Sequence, residues 1–147
     1  MAINSANYIK GQSLYKESCF LLKKGKLEHA LIKLKESVDY GYPDALFQLG
    51  IGYYYGISVN KNIKYSIGLF TRAAEKNHEE AMYHLAEHYY NSNQKSKSKS
   101  LFIRLLKMDN KRAKYYCYLN GWNKDNRIDL RRAAFYNIER HNQTIII

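Results

Sequence analysis

Apolar and polar residues alternate along this chain with the period of amphipathic helices. From position 6 to about 24, and again from 27 to 38, apolar residues recur every three or four positions, as one face of a helix requires. Glycine, asparagine and aspartate punctuate the stretches as helix stops. The same spacing predicts further helices over 44–55, 63–76, 79–90, 96–108 and 112–119, and a last one over 130–141 with Asp129 as its N-cap. The sequence therefore predicts helical hairpins in series and no strand.

The apolar pattern also repeats over a longer distance, because four columns of residues recur 36 and then 32 positions apart. The columns are Ala45, Ala81 and Ala113; Leu49, Leu85 and Cys117; Leu34, Phe70 and Phe102; and the pairs Ser37–Val38, Ala73–Ala74 and Leu105–Leu106. Periods of this length are typical of stacked repeats, since a single hairpin cannot bury its apolar face alone. The shorter second step predicts a loop deletion of four residues between Tyr90 and Lys95.

One stretch carries a recognisable motif. From Ala45 the chain reads ALFQLGIGYYYGISVNKNIKYSIGLFTRAAEKNHEEA. This stretch resembles the Sel1-like repeat, a member of the tetratricopeptide superfamily, through Ala45, Leu49, Gly50, Tyr53, Gly56, Val59, Phe70, Ala73, Ala74 and Ala81. It departs from the family pattern at Ser58, Lys61, Tyr65–Ser66 and Asn77. The resemblance covers roughly residues 5–122.

The periods and the resemblance together predict an all-α fold, a short right-handed α-solenoid of about three helix–turn–helix repeats with a C-terminal capping helix. We expect a single domain over the 147 residues. Its predicted parts are repeat 1 at 5–44, repeat 2 at 45–80, repeat 3 at 81–112, a partial repeat and cap at 113–141, and a tail at 142–147. Terminal repeats need such a cap because one of their faces lacks a neighbour.

The resemblance implies a concave surface lined by the first helix of each hairpin. Carrying the repeat register forward predicts three ladders on it: Phe47, Tyr83 and Tyr115; Ile51, Glu87 and Leu119; and Tyr54, Tyr90 and Trp122. Tyrosine and tryptophan dominate protein-binding hot spots, which favours a peptide or a partner protein as the ligand. The alternative is that some of these rings belong to the core between repeats.

Positive charge is concentrated in one short segment. The chain carries a formal net charge of +11. Residues 91–112 hold one acidic residue and seven basic ones: Lys95, Lys97, Lys99, Arg104, Lys107, Lys111 and Arg112. This basic patch favours an acidic partner protein. Nucleic-acid binding is the alternative function, although no aromatic residue is interleaved for base stacking and no known nucleic-acid motif is present. A merely solvated helix face is the third interpretation.

Signals for catalysis or cofactors are missing from the sequence. His84 and His88 share a helix face, but no third metal ligand is evident, so we expect surface histidines and neither a metal nor another cofactor. Cys117 lies in a small apolar column, which predicts a buried free thiol, and no disulfide with Cys19 is expected. We expect no membrane span and no secretory signal, and hence a cytoplasmic protein.

The sequence thus predicts a non-catalytic adaptor or scaffold. The resemblance implies two further settings for such a protein, host–microbe interaction and the neutralisation of a toxin by an immunity protein.

Overall fold

The computed structural model describes residues 5–122, and this range contains seven helices and no strand. The helices are α1 (Ser5–Lys23), α2 (Leu27–Asp39), α3 (Pro43–Tyr55), α4 (Ile63–Glu75), α5 (Glu79–Asn91), α6 (Lys95–Lys107) and α7 (Lys111–Leu119). Every helix predicted within this range is confirmed, with ends that differ by at most one residue. The predicted last helix, over 130–141, lies outside the described residues.

The chain divides into two compact units, an N-terminal unit of residues 1–82 and a C-terminal unit of residues 83–147. In the N-terminal unit α1 packs against α2, α2 against α3, and α3 against α4. In the C-terminal unit α6 packs against α7. The range 5–122 is therefore an all-α repeat fold.

The turns that lead from one hairpin to the next use the same backbone conformation in the same register. Gly41, Asn77 and Asp109 all have a positive φ, between 62° and 69°. They stand 36 and then 32 residues apart, as the buried columns do. Glycine adopts this left-handed conformation without cost, and asparagine and aspartate tolerate it better than other residues. The asparagine that departs from the family pattern at position 77 therefore performs the turn that glycine performs at position 41.

The turns within the hairpins differ in length. Residues 56–62 join α3 to α4, whereas only residues 24–26 join α1 to α2 and residues 92–94 join α5 to α6. The longer loop is closed by a hydrogen bond from Asn62 N to Tyr53 O of 2.8 Å, and the Asn62 side chain then caps α4 by accepting from Tyr65 N at 3.0 Å. The predicted four-residue deletion between Tyr90 and Lys95 is confirmed.

The repeated columns form the core. Ala45, Ala81 and Ala113 are fully buried, as are the rings of Phe70 and Phe102. Leu49, Leu85 and Cys117 are buried as well, while Leu34 and Leu106 are only half-buried. Position 50 in the first helix of its hairpin requires a small residue, because a Cβ built on Gly50 would lie 2.6 Å from Cε1 of Phe70. Burial of the columns follows from the repeat period, since the same contact recurs in each hairpin.

Buried serines cross-link the two helices of a hairpin, a feature that the sequence analysis missed. Ser66 Oγ donates to Gly50 O at 2.7 Å, and Ser98 Oγ donates to Ala86 O at 2.8 Å. The donors are 32 residues apart and the acceptors 36, which matches the two repeat steps. The first hairpin has such bonds in both directions, because Ser37 Oγ donates to Gly11 O at 2.7 Å and Ser18 Oγ donates to Ala30 O at 2.7 Å. The signal in the sequence was a hydroxyl at a position where the apolar pattern calls for burial.

Candidate functional site

The three ladder residues of α3 lie on one face of that helix. Phe47, Ile51 and Tyr54 follow the i, i+4, i+7 spacing that places side chains above one another, and all three are half-buried. The core ring of Phe70 supports this face from behind, at 5.9 Å from the Phe47 centroid and 6.1 Å from that of Tyr54. The α3 face thus offers the outer edges of rings whose inner edges touch the core.

His78 fixes the position of the Phe47 ring. The two rings stack at 4.9 Å with an angle of 30°. The imidazole is held at both nitrogens, because Nδ1 accepts from Ala81 N at 3.1 Å and Nε2 lies 3.0 Å from Oδ1 of Asp44. An Nδ1 that accepts leaves the proton on Nε2, which then donates to the carboxylate. His78 therefore caps α5 and orients one end of the α3 face.

The C-terminal unit holds a second aromatic surface. The rings of Tyr90, Tyr116 and Trp122 form a half-buried cluster with centroid distances between 5.3 and 6.2 Å. Tyr116 stacks on buried Phe102 at 4.1 Å with an angle of 14°, which anchors the cluster to the core. We call the three half-buried rings the aromatic cluster. Burial raises the pKa of the Tyr116 hydroxyl above its usual value, and the neighbouring Tyr90 adds to that shift.

Asn120 completes the aromatic cluster. Its Oδ1 accepts from the Tyr90 hydroxyl at 3.0 Å, and its Nδ2 donates to Tyr116 O at 2.9 Å. The amide therefore ties the end of α7 to α5 through polar contacts, while the rings pack through apolar ones. A half-buried ring with a satisfied hydroxyl and an accessible edge suits binding by shape and apolar contact.

Tyr83 is a correction to the predicted ladders. Its side chain is only 6% exposed, because the Phe102 ring packs against it in a T-shaped arrangement with 5.6 Å between centroids, and the guanidinium of Arg112 lies 4.3 Å from its ring centroid. A buried ring offers no surface to a partner, so the expectation that Tyr83 lines a binding surface is wrong. The sequence register places its Cα correctly, but it does not reveal that a long basic side chain from α7 covers the ring.

The remaining ladder residues of the C-terminal unit differ in exposure. Glu87 and Tyr115 are half-buried, whereas Leu119 is 60% exposed at the end of α7. Leu119 stands three residues after Tyr116 of the aromatic cluster on α7, a spacing that makes side chains neighbours on a helix surface. The contact between exposed apolar surface and water is unfavourable, which is the driving force for association.

The predicted basic patch does not form a single surface. Arg112 covers Tyr83, and Lys97 lies 5.2 Å from the Tyr89 ring while donating to Gln94 Oε1 at 2.9 Å. Lys95 and Lys111 are exposed at the first residues of α6 and α7. The other three, Lys99, Arg104 and Lys107, share one face of α6. That face also carries Ser96, Ser100 and Ile103.

Two further kinds of candidate group in the described residues are potential metal ligands and cysteine thiols. No group of three or more histidine, cysteine, aspartate or glutamate side chains in the range 5–122 is placed to hold a metal ion. Cys19 and Cys117 are both free thiols, and the prediction that Cys117 is buried is confirmed. Burial raises the pKa of the Cys117 thiol, which makes it a poorer nucleophile. None of the helices in this range has the length and apolar character needed to cross a membrane.

Comparison with known proteins identifies the repeats. The family model of the Sel1 repeat matches residues 43–78, 79–101 and 110–136. A crystal structure of a Sel1 repeat protein from Oxalobacter formigenes aligns with a TM-score of 0.65 at 25% sequence identity, over 75% of this chain and 90% of that one. No curated protein matches this sequence.

Proposed function

This chain belongs to the Sel1 repeat family, and we propose that it is a non-catalytic adaptor that binds a partner protein through the aromatic faces of its first-of-hairpin helices. Sel1 repeats generally mediate protein binding, and the proteins that contain them are typically non-catalytic scaffolds. The observation that supports the proposal most strongly is the aromatic cluster, with exposed Leu119 three residues after Tyr116 on α7. Rings anchored in the core and exposed along one edge lose little conformational freedom on binding.

The α3 face supports the same proposal from the N-terminal unit. Phe47 and Tyr54 rest on Phe70, so their rings are held in place before a partner arrives. Preorganisation of this kind raises affinity by lowering the entropic cost of association. We therefore propose that Phe47, Ile51 and Tyr54 take part in binding alongside Tyr90, Leu119 and Trp122.

The partner that this proposal calls for is a protein with an acidic surface or segment, because the net charge of +11 steers acidic molecules toward the chain. A reducing compartment such as the cytoplasm suits the two free thiols. Host–microbe interaction and toxin neutralisation are both settings in which a small adaptor of this kind would act, and identification of the partner decides between them.

Site-directed crosslinking tests the proposal. A photoreactive phenylalanine at position 119 should capture a partner in cells, whereas the same group at exposed Ile32 on α2 serves as the matched control and should not. With the captured protein in hand, Tyr90→Ala and Trp122→Ala should each weaken binding at least tenfold while helicity by circular dichroism is retained. Loss of helicity in both variants, or capture from position 32 alone, would overturn the proposal.

A further inference from the structure

The outer face of α6 differs in charge from the corresponding faces of α2 and α4, which are also the second helices of their hairpins. Helices α2, α4 and α6 begin at residues 27, 63 and 95, so their positions correspond by the repeat steps of 36 and 32. The outer face of α6 consists of Ser96, Lys99, Ser100, Ile103, Arg104 and Lys107. It carries three cationic residues and no carboxylate.

The corresponding positions of the other helices are mixed or acidic. On α4 they are Lys64, Ile67, Gly68, Thr71, Arg72 and Glu75, with two cationic residues against one carboxylate. On α2 they are Glu28, Leu31, Ile32, Lys35, Glu36 and Asp39, with three carboxylates against one lysine. The repeat fold therefore accepts either sign of charge at these positions, and the basic character of α6 is not a requirement of the scaffold.

Two lysines of this face, Lys99 and Lys107, have no ion-pair partner among the described residues. Both side chains are exposed, and half-buried Ile103 lies between them. Lys99 and Lys107 are two helical turns apart, about 12 Å along the axis, and Ile103 is midway.

We propose that this face of α6 is a docking site, distinct from the aromatic surfaces, for an acidic amphipathic helix of a partner protein. The helix would present Glu-x-x-x-Leu-x-x-x-Glu, so that two carboxylates meet Lys99 and Lys107 and an apolar residue covers Ile103. The apolar residue at the centre favours a protein over a nucleic acid, because a phosphate backbone has nothing apolar to place there. The face also has no aromatic side chain on which a base could stack.

Fluorescence anisotropy at about 0.1 M salt tests this site on the full chain. The probes are a fluorescent helical peptide with the Glu-x-x-x-Leu-x-x-x-Glu pattern and an oligothymidylate of equal charge. We expect the peptide to bind more tightly than the oligothymidylate. The charge reversal K99E/K107E should weaken peptide binding about tenfold, the neutral pair K99Q/K107Q about threefold, and Ile103→Ser about threefold.

The matched control is K35E/K64E, which makes the same change of net charge on the outer faces of α2 and α4 and should leave peptide binding within twofold. The neutral pair guards against destabilisation of α6 by a glutamate at its C-terminal end, and helicity is measured for every variant. Equal weakening by K35E/K64E would overturn the proposal, because the attraction would then be general. Tighter binding of the oligothymidylate would make the face a nucleic-acid surface instead.

A second copy of the chain is the other possible occupant, because the outer face of α2 is acidic. Sedimentation velocity at low salt distinguishes it. We expect a monomer. A dimer that K99E/K107E dissociates would assign the α6 face to self-association and overturn the proposal.

Discussion

The α3–α4 hairpin buries Phe70 against Gly50, whereas in the α5–α6 hairpin the corresponding positions hold Phe102 and Ala86. Both rings are fully buried, and in each hairpin a serine hydroxyl from the second helix donates to the carbonyl of the small residue. On the outside the two hairpins diverge. Their inner loops have seven residues and three, and only α6 has an outer face with no carboxylate. The core tolerates small adjustments, while the surface is free to acquire a specific chemistry.

The largest effect on stability should come from removing the phenylalanine ring that stands at the corresponding position of each hairpin. Phe70→Ala and Phe102→Ala should each lower the free energy of unfolding by about 3–5 kcal/mol, since each removes a fully buried ring and leaves a cavity. Chemical denaturation followed by circular dichroism measures both. A cost under about 1.5 kcal/mol for either variant would mean that its ring is not packed in the core of its own hairpin.

Substitution of the small residue that faces the ring should affect the stability of the two hairpins differently. Gly50→Ala should cost about 1–3 kcal/mol by overpacking, because its new Cβ would lie 2.6 Å from Cε1 of Phe70. Ala86→Gly should cost about 1 kcal/mol through helix propensity and the lost methyl group. If this clash is the cause, Gly50→Ala should lower the free energy of unfolding less in a Phe70→Leu variant than in the wild-type chain. Equal losses in the two would contradict the clash.

The inner loops should differ in their tolerance of a side chain. Gly56 has a φ of 75°, and a Cβ there would lie 3.2 Å from Cβ of Lys61, so Gly56→Ala should cost about 1–2 kcal/mol. In the shorter loop Asn93 already adopts a φ of 59°, so Asn93→Gly should change stability by less than about 0.5 kcal/mol. Thermal melts of the two variants check this, and a larger loss for Asn93→Gly would refute the loop comparison.

Alkaline pH should destabilise both units by a smaller amount. Burial, with a hydrogen bond to Asp44, raises the pKa of Tyr42 from 10.0 to about 12. The neutral phenol is thus favoured in the fold, so its contribution is complete below pH 10 and is lost as the pH rises toward 12. We expect Tyr42 to cost the fold on the order of 1 kcal/mol at pH 10.5. Denaturation midpoints at pH 8 and pH 10.5 measure it, with Tyr42→Phe as the control.

The C-terminal unit should begin to lose stability at a lower pH. Burial raises the pKa of the Cys117 thiol, whose ordinary value of 9.0 is lower than that of a phenol. Its contribution therefore declines once the pH exceeds about 9. Hydrogen exchange as a function of pH should show α7 losing protection before α3, and the opposite order would contradict this difference.

The repeat columns could be predicted from the sequence because burial follows directly from periodicity. Ala45, Ala81 and Phe70 recur at the helix–helix contact, and no distant feature of the chain can change that. The turn residues could be predicted in the same way, since Gly41 and Asn77 occupy corresponding positions of successive repeats. The serine cross-links were missed because a hydroxyl between apolar neighbours does not disclose which carbonyl it meets.

The binding surfaces were harder to predict, because exposure depends on which side chains cover a ring. Tyr83 and Tyr90 both follow the ladder register on α5, yet Arg112 covers the first and leaves the second half-buried. The basic residues were likewise grouped by their closeness in sequence. The structure distributes them over different faces, and only three share the outer face of α6.

The most direct test of the account is the binding affinity of Leu119→Asp for the partner captured by crosslinking. Leu119 is 60% exposed, so its replacement should leave the free energy of unfolding within about 0.5 kcal/mol. A carboxylate at the centre of an apolar contact should weaken binding at least tenfold. Isothermal titration calorimetry beside a thermal melt gives both quantities. Unchanged affinity at unchanged stability would show that the partner does not bind at the aromatic surface.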